Sequence, residues 1–444
     1  MSRLLPLLKI VAILFLTLLM MIPMVRIRGL IHERQDLRDQ VLADVARSDA
    51  GTQTLAGPVL IVPFQRTLHE QVAGSGDRPV TVAREVQGEL RLLPSMMTLD
   101  GKLGTEERQR GIYHARVYRA ESQLSGRFDV PENYGVTDDV ASYRFGDARL
   151  VLGISDIRGI GNALTLRANG SDISFAPGTG SALFASGVQA PLSGSHAGRS
   201  IDFDISLTLA GTREFNIVPV GRESRVHLTS DWPHPSFIGE FLPVKRKIGS
   251  AGFDADWQTS FFATNLEDVL ARCADATGGC KALEDDHFGV SFIDPVDQYL
   301  KSERAAKYAF LFIGLTFAGF FLTEVLRRVS VHPIQYGLVG LALAMFFLLL
   351  LSLSEHMGFG LAYLVAAGAC VGLISYYVRY VLGSVGQGMA FGAALASLYA
   401  LLYGILSSED YALLMGSLLV FGLLAMVMVL TRRVSWSNLG EAQR

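Results

Sequence analysis

Two patterns of apolar residues divide this chain. Apolar runs, broken by a charge only at Lys9 and Lys307, occupy residues 4–25, 305–323, 336–353, 359–378, 389–406 and 411–430, and the stretch between the first two is of ordinary mixed polarity. A bilayer core about 30 Å thick is crossed by about 20 helical residues rising 1.5 Å each. The runs therefore predict six transmembrane helices, one N-terminal and five C-terminal, with a large extramembrane domain between the first two. The expected division is a signal-anchor helix over 1–28, a β-rich domain over 29–304, a five-helix bundle over 305–431 and a short tail over 432–444. No small-x-small cleavage site follows the first run; Arg26-Ile-Arg28-Gly29-Leu30 comes next, which favours an uncleaved anchor.

Beyond the first run, Leu30, Leu37, Val41 and Val45 share one helical face, predicting a helix that continues to about Arg47. From Leu55 the period changes to two. Ile201-Asp-Phe-Asp-Ile-Ser-Leu-Thr-Leu209 alternates without a break, and Leu124–Val130 and Phe253-Asp-Ala-Asp-Trp257-Gln-Thr nearly do. Half-buried antiparallel strands produce this alternation. Asp100-Gly101, Gly74-Ser-Gly76 and Pro177-Gly-Thr-Gly180 carry turn chemistry. The domain thus reads as an antiparallel sandwich or stacked sheets, with no βαβ rhythm.

Basic residues kept on the cytoplasmic side orient the spans. Arg327 and Arg328 follow the second run, Arg379 the fourth, and Arg432 and Arg433 the sixth. The alternate loops, Ser354-Glu-His-Met-Gly358 and Ser407-Ser-Glu-Asp410, have no Lys or Arg. Both termini are therefore expected in the cytoplasm and the large domain outside. Arg26 and Arg28 argue the other way, but long domains translocate largely regardless of flanking charge.

The chain has 444 residues, half of them hydrophobic, and only 18% are charged, as a partly bilayer-embedded protein requires. Its net charge of −3 and lack of an aromatic-interleaved basic cluster exclude a nucleic-acid partner. Ionisable residues near the spans (Lys9, Glu324, Glu355, His356 and Arg379) fall at helix ends, where they can reach the interface, leaving a bundle that reads as a packed anchor. Gly368 and Gly372 form a small-xxx-small pair suited to close helix contact.

The densest group of chemically capable residues is Val226-His-Leu-Thr-Ser-Asp-Trp-Pro-His-Pro-Ser-Phe237. His227, Asp231, Trp232, His234 and Ser236 are the candidate functional loop, with Pro233 and Pro235 holding the backbone extended. His and Asp at this spacing are residue types for metal or nucleophilic chemistry, but no second half of a triad or ligand set is visible. A rigid structural loop is the plainer alternative. Gly159-Ile-Gly161 and Gly178-Thr-Gly180 lack the strand–helix context and the Lys of a phosphate loop, and Asp156 with Arg158 reads as a surface ion pair. Cys273 and Cys280 can close a small disulfide loop in an oxidising compartment; a redox or metal pair is the alternative, disfavoured by the lack of a nearby His or third Cys. No catalytic residue, metal or cofactor is assigned from these patterns.

Several strings together resemble one family. They are Ile22-Pro23, Glu33-Arg34, Leu55-Ala-Gly57-Pro58, Gly111-Ile112-Tyr113, Asp156-Ile-Arg158-Gly159-Ile160, Pro177-Gly-Thr-Gly180 and Leu228-Thr-Ser-Asp-Trp-Pro-His-Pro-Ser-Phe237. Further along come Asp297-Gln-Tyr299, Arg304-Ala-Ala-Lys307-Tyr308, His332-Pro333, Gln335-Tyr336 and Leu353-Ser-Glu355-His356 with Gly358-Phe359. Over nearly its whole length the chain resembles CreD, the "cell envelope integrity" inner-membrane proteins under the Cre sensor–regulator pair of Gram-negative bacteria. The resemblance implies an inner-membrane location, a periplasmic domain and a role in maintaining the envelope under stress, including cell-wall damage. It supplies no reaction, ligand or catalytic residue, and Cys273 and Cys280 are not part of its pattern. Besides the lipid bilayer, partners among envelope proteins or cell-wall components follow from it. Three function classes stand at this point: a non-enzymatic envelope-maintenance protein, which leads; a membrane-bound enzyme using His227, Asp231 or His234; and a transporter or lipid-handling protein.

Overall fold

The computed structural model describes residues 4–73, 79–273, 278–292, 298–327, 331–407 and 412–432. The chain forms two compact units, Gln40–Pro295 and the pair Met1–Asp39 with Val296–Arg444.

Two sheets share one core in the first unit. The eight-stranded sheet runs, in spatial order, Lys245–Gly249, Gly252–Ser260, Glu223–Ser230, Met96–Arg110, Tyr113–Asp129, Ser200–Thr212, Thr165–Ala168 and Ser171–Ser174. The nine-stranded sheet centres on Gln53–Ala73, flanked by Glu214–Val218 and Ala148–Ile154. Alternation makes the layers: Leu99, Leu124, Ile205, Leu228 and Trp257 of one sheet meet Leu55, Leu60, Leu150 and Leu152 of the other, all buried. Each such aliphatic side chain contributes about 1.5–3 kcal/mol through removal from water.

The strand runs at 201–209 and 253–259 lie in strands, as expected, and the run at 124–130 does so up to Asp129. Pairing is mixed rather than purely antiparallel. Gln53–Ala73 pairs in parallel with Glu214–Val218, and Met96–Arg110 pairs in parallel with Glu223–Ser230. These two later strands are near neighbours in sequence, yet each returns by a long crossover to lie beside an early strand of a different sheet. Asp100-Gly101, expected as a turn, sits mid-strand in Met96–Arg110. A Cβ on Gly101 would come within 2.7 Å of Leu228, so the glycine makes room for a core side chain. Gly74-Ser-Gly76 lies outside the described residues.

Helices Leu4–Leu19 and Met21–Ser48 follow one another, as the sequence predicted, and the second unit takes the first of them and residues 21–39 of the other. Four long helices come later: Gln298–Arg327, Pro333–Met357, Phe359–Val381 and Val385–Ser407. Among the described residues five helices are long and apolar enough to cross a membrane, one N-terminal and four C-terminal, rather than the six expected. The sixth run is helical over Ala412–Thr431, but several of its side chains lie outside the described residues. Pro333–Met357 starts sharply because His332 accepts from the Ile334 amide while Gln335 accepts from the His332 amide, with Pro333 in the first turn.

Close packing falls on different glycines from those expected. Gly368 and Gly372 face open space, with nothing described within 4 Å of an added Cβ. Gly388 and Gly392 instead lie against Arg379 and Ser375 of the preceding helix. Both pairs have the same spacing; only the helix rotation distinguishes them.

Candidate functional site

The outward face of the eight-stranded sheet collects the polar residues that alternation excludes from the core. His227 lies opposite Asp256 on one side and Asp100 on the other; Asp100 lies opposite Gln123, and Gln123 opposite Ser206. The next row carries Thr229, Lys102, Glu121 and Thr208. Together these rows line a shallow groove of about 440 Å³.

At one end of the groove, His227 Nδ1 lies 2.8 Å from Asp256 Oδ1 and 3.9 Å from Asp254 Oδ1. One ligand atom from each of the three residues falls within 4.8 Å of the others, so this group has donors for a cation. Lys247 and Lys245 sit directly opposite Asp254 and Asp256 on the edge strand, placing two cationic groups beside the carboxylates. His227 is already hydrogen-bonded to Asp256, though not to Asp254, and the cluster is half-exposed.

The other candidate loop residues go elsewhere. Both the amide and the hydroxyl of Thr105 donate to Asp231 at 2.9 Å, so this carboxylate ties the loop to the neighbouring strand. Trp232 is buried, its indole donates to the His234 carbonyl at 2.9 Å, and the Arg116 guanidinium stacks 4.2 Å above it. The His234 side chain is exposed with its ring edge-on to Trp232, and Ser236 opens the short strand Ser236–Gly239. Thus the loop is held by Asp231 and Trp232, while His227 belongs to the sheet face. Asp254 and Asp256 were missed because nothing within Phe253–Trp257 names its partner strand; two aspartates on the exposed parity were the available signal.

Asp156 does more than pair with Arg158 at 2.6 Å: it also accepts from the Gly51 and Arg158 amides. The Arg158 guanidinium and these amides hold its carboxyl down to about 2. Cys273 and Cys280 are joined as a disulfide, their Cα atoms 5.5 Å apart. Pro177–Gly180 forms a corner where the Gly180 carbonyl accepts from Arg149 at 2.6 Å.

Polar groups of the helical unit gather at its two ends. Glu324, only 7% exposed, pairs with Lys9 and accepts from Tyr336 Oη at 2.8 Å and the Val331 amide at 3.2 Å. It is turned inward rather than out to the interface. At the other end Glu355 accepts from Tyr299 Oη at 3.1 Å and lies 3.7 Å from Arg34. The same number of positions separates Lys9 from Arg34 and Tyr299 from Glu324, a rise of roughly 37 Å along either helix. That exceeds the roughly 30 Å hydrocarbon core by about one turn, so both clusters fall at its edges.

These features define a multi-pass membrane protein that carries a large, mixed β-sheet unit. A family model described as "Inner membrane protein CreD" matches residues 6–437. "Inner membrane protein CreD" of Escherichia coli (strain K12) is 38% identical over 420 residues, covering 94% of this chain and 91% of that protein. The chain belongs to the CreD family, and it is a multi-pass inner-membrane protein embedded in the lipid bilayer.

Proposed function

We propose that this protein maintains the cell envelope under stress through non-enzymatic contacts made by its β-rich unit in the periplasm. The carrying observation is the eight-stranded sheet, which buries one face and leaves the other as a polar surface running from His227 to Ser206. Such a surface suits recognition of a polar polymer or an envelope protein. The enzymatic alternative is weakened because Asp231 is bound to Thr105 while His227 pairs with Asp256.

The periplasmic assignment rests on two supports. Arg379 and Arg432 fall on one side of the alternating spans, and the opposite loop at 354–358 has no Lys or Arg. A disulfide between Cys273 and Cys280 also suits an oxidising compartment. Burial of Met24, Ile27 and Ile31 in the helical unit supports a retained N-terminal helix.

Complementation of a deletion strain tests the reading. The triple variant His227→Gln, Asp254→Asn, Asp256→Asn, at verified abundance, is expected to fail under envelope stress. His234→Ala is expected to rescue fully. Full rescue by the triple variant overturns the assignment of function to this face.

A further inference from the structure

We propose that the groove between helices Pro333–Met357 and Phe359–Val381 is a phospholipid site, taking one acyl chain along its length and the lipid phosphate at Arg379. This goes beyond the proposed function and is independent of the sheet face. The groove has a volume of about 260 Å³ and is lined by Leu338, Met345 and Leu349 on one helix and Ala369, Cys370 and Leu373 on the other. Its lining is almost wholly apolar, and Leu338, Met345 and Leu373 remain 50%, 43% and 61% exposed. From Leu338 to Leu349 the helix rises roughly 16 Å, about half of a 30 Å hydrocarbon core. The groove is therefore one leaflet long, which fits an acyl chain rather than a spanning helix.

Charge complementarity supplies the headgroup. The two helices are antiparallel neighbours in a hairpin around Gly358, and the groove has Leu338 and Leu373 among its lining residues. Six positions beyond Leu338 lies His332, and six beyond Leu373 lies Arg379. Each is a rise of roughly 9 Å past the apolar lining, toward the same end of the hairpin. Six positions turn Arg379 about 120° from Leu373, and its Cβ lies against Gly388 of the next helix, but Tyr380, seven positions from Leu373, shares the groove's face. The exposed Arg379 guanidinium reaches back to that face, 5.7 Å above the Tyr380 ring, and Tyr376 and Tyr380 are 62% and 64% exposed. Tyrosine rings mark the headgroup level, and an arginine there presents a planar fork to phosphate oxygens. At the groove floor, Cys370 Sγ contacts the Ala342 carbonyl at 3.4 Å and Tyr399 Oη at 3.3 Å, so the floor's polar groups are satisfied and the surface is left apolar. Small residues at Ala342 and Ala369 create the depression.

Native mass spectrometry of the full-length protein, delipidated in detergent and titrated with defined probes, tests this. Dioleoylphosphatidylglycerol is expected to bind at one saturable site, dioleoylglycerol about tenfold more weakly, and inorganic phosphate not at all. Ala369→Phe, which fills the groove, should abolish the site, and Arg379→Gln should lower phosphatidylglycerol to the level of dioleoylglycerol. Circular dichroism and retained detergent monodispersity establish that each variant is folded. Unchanged binding in both folded variants overturns the site, and equal affinity for the two lipids overturns the role of Arg379. Binding of inorganic phosphate alone, lost in Arg379→Gln, overturns the lipid assignment in favour of a free anion.

Discussion

The β-rich unit and the helical unit use ionisable residues in opposite ways. In the first they are spread over a solvated face and paired across strands, as Arg127 and Asp202 are at 2.6 Å with both side chains about half exposed. In the second, two inward-turned carboxylates, Glu324 and Glu355, take partners from four helices at the two ends of the apolar slab. Water solvates the first set whether or not a pair forms. A low-dielectric surround makes the second set depend on every partner. The lesson is that few charges can matter more than many.

The largest effect tests that difference directly. Glu324→Ala leaves Lys9 and the Tyr336 hydroxyl without their carboxylate and is expected to cost about 3–5 kcal/mol in unfolding of the purified protein in detergent. Replacing both partners, Lys9→Met with Glu324→Gln, should recover most of that loss. Asp202→Ala in the β-rich unit should leave the transition where it is. Equal losses from Glu324→Ala and Asp202→Ala would erase the contrast.

Packing sharpens it next. Gly392→Leu pushes a side chain into Ser375 and should destabilise the helical unit by about 1–3 kcal/mol, whereas Gly372→Leu meets open space and should be near neutral. A thermal-shift comparison of the two reads this, and the reverse order would mean that the packed face is the other one.

The smallest effects are two titrations of opposite sign in the β-rich unit. Asp156 has a carboxyl held below its ordinary value, chiefly by Arg158, so its contribution is present above about pH 4 and is lost as pH falls toward 2. Burial, helped by Glu240, raises the Asp286 carboxyl, so its protonated form suits the fold and stability falls as pH rises above its ordinary range. Asp156→Asn should therefore lower stability at neutral pH and Asp286→Asn should raise it. Solvent screening keeps each below about 1 kcal/mol. Chemical denaturation at pH 7 and pH 3 of the two variants checks the signs.

Strand positions were legible wherever one face is buried: Ile201–Leu209 alternates because Phe203, Ile205 and Leu207 enter the core while Asp202 and Asp204 do not. The parallel pairings were not, because partner choice depends on crossovers far along the chain. Asp100-Gly101 misled since its turn chemistry is local, whereas its cause is Leu228 on another strand. The candidate site was half legible. His227 was singled out, but its partners Asp254 and Asp256 join it only through strand pairing. In uniformly apolar helices the sequence does not specify rotation, so Gly368/Gly372 and Gly388/Gly392 were indistinguishable. Lys9 and Glu324 at helix ends could equally have faced outward.

The central claim is that the polar sheet face works in the periplasm. Its most direct test is a Ser206→Cys protein in intact cells, exposed to a membrane-impermeant maleimide; Cys370 is buried and Cys273 and Cys280 are bonded. Labelling before lysis, matching that after lysis, is the predicted result. Labelling that appears only after lysis would put the face in the cytoplasm and contradict the account.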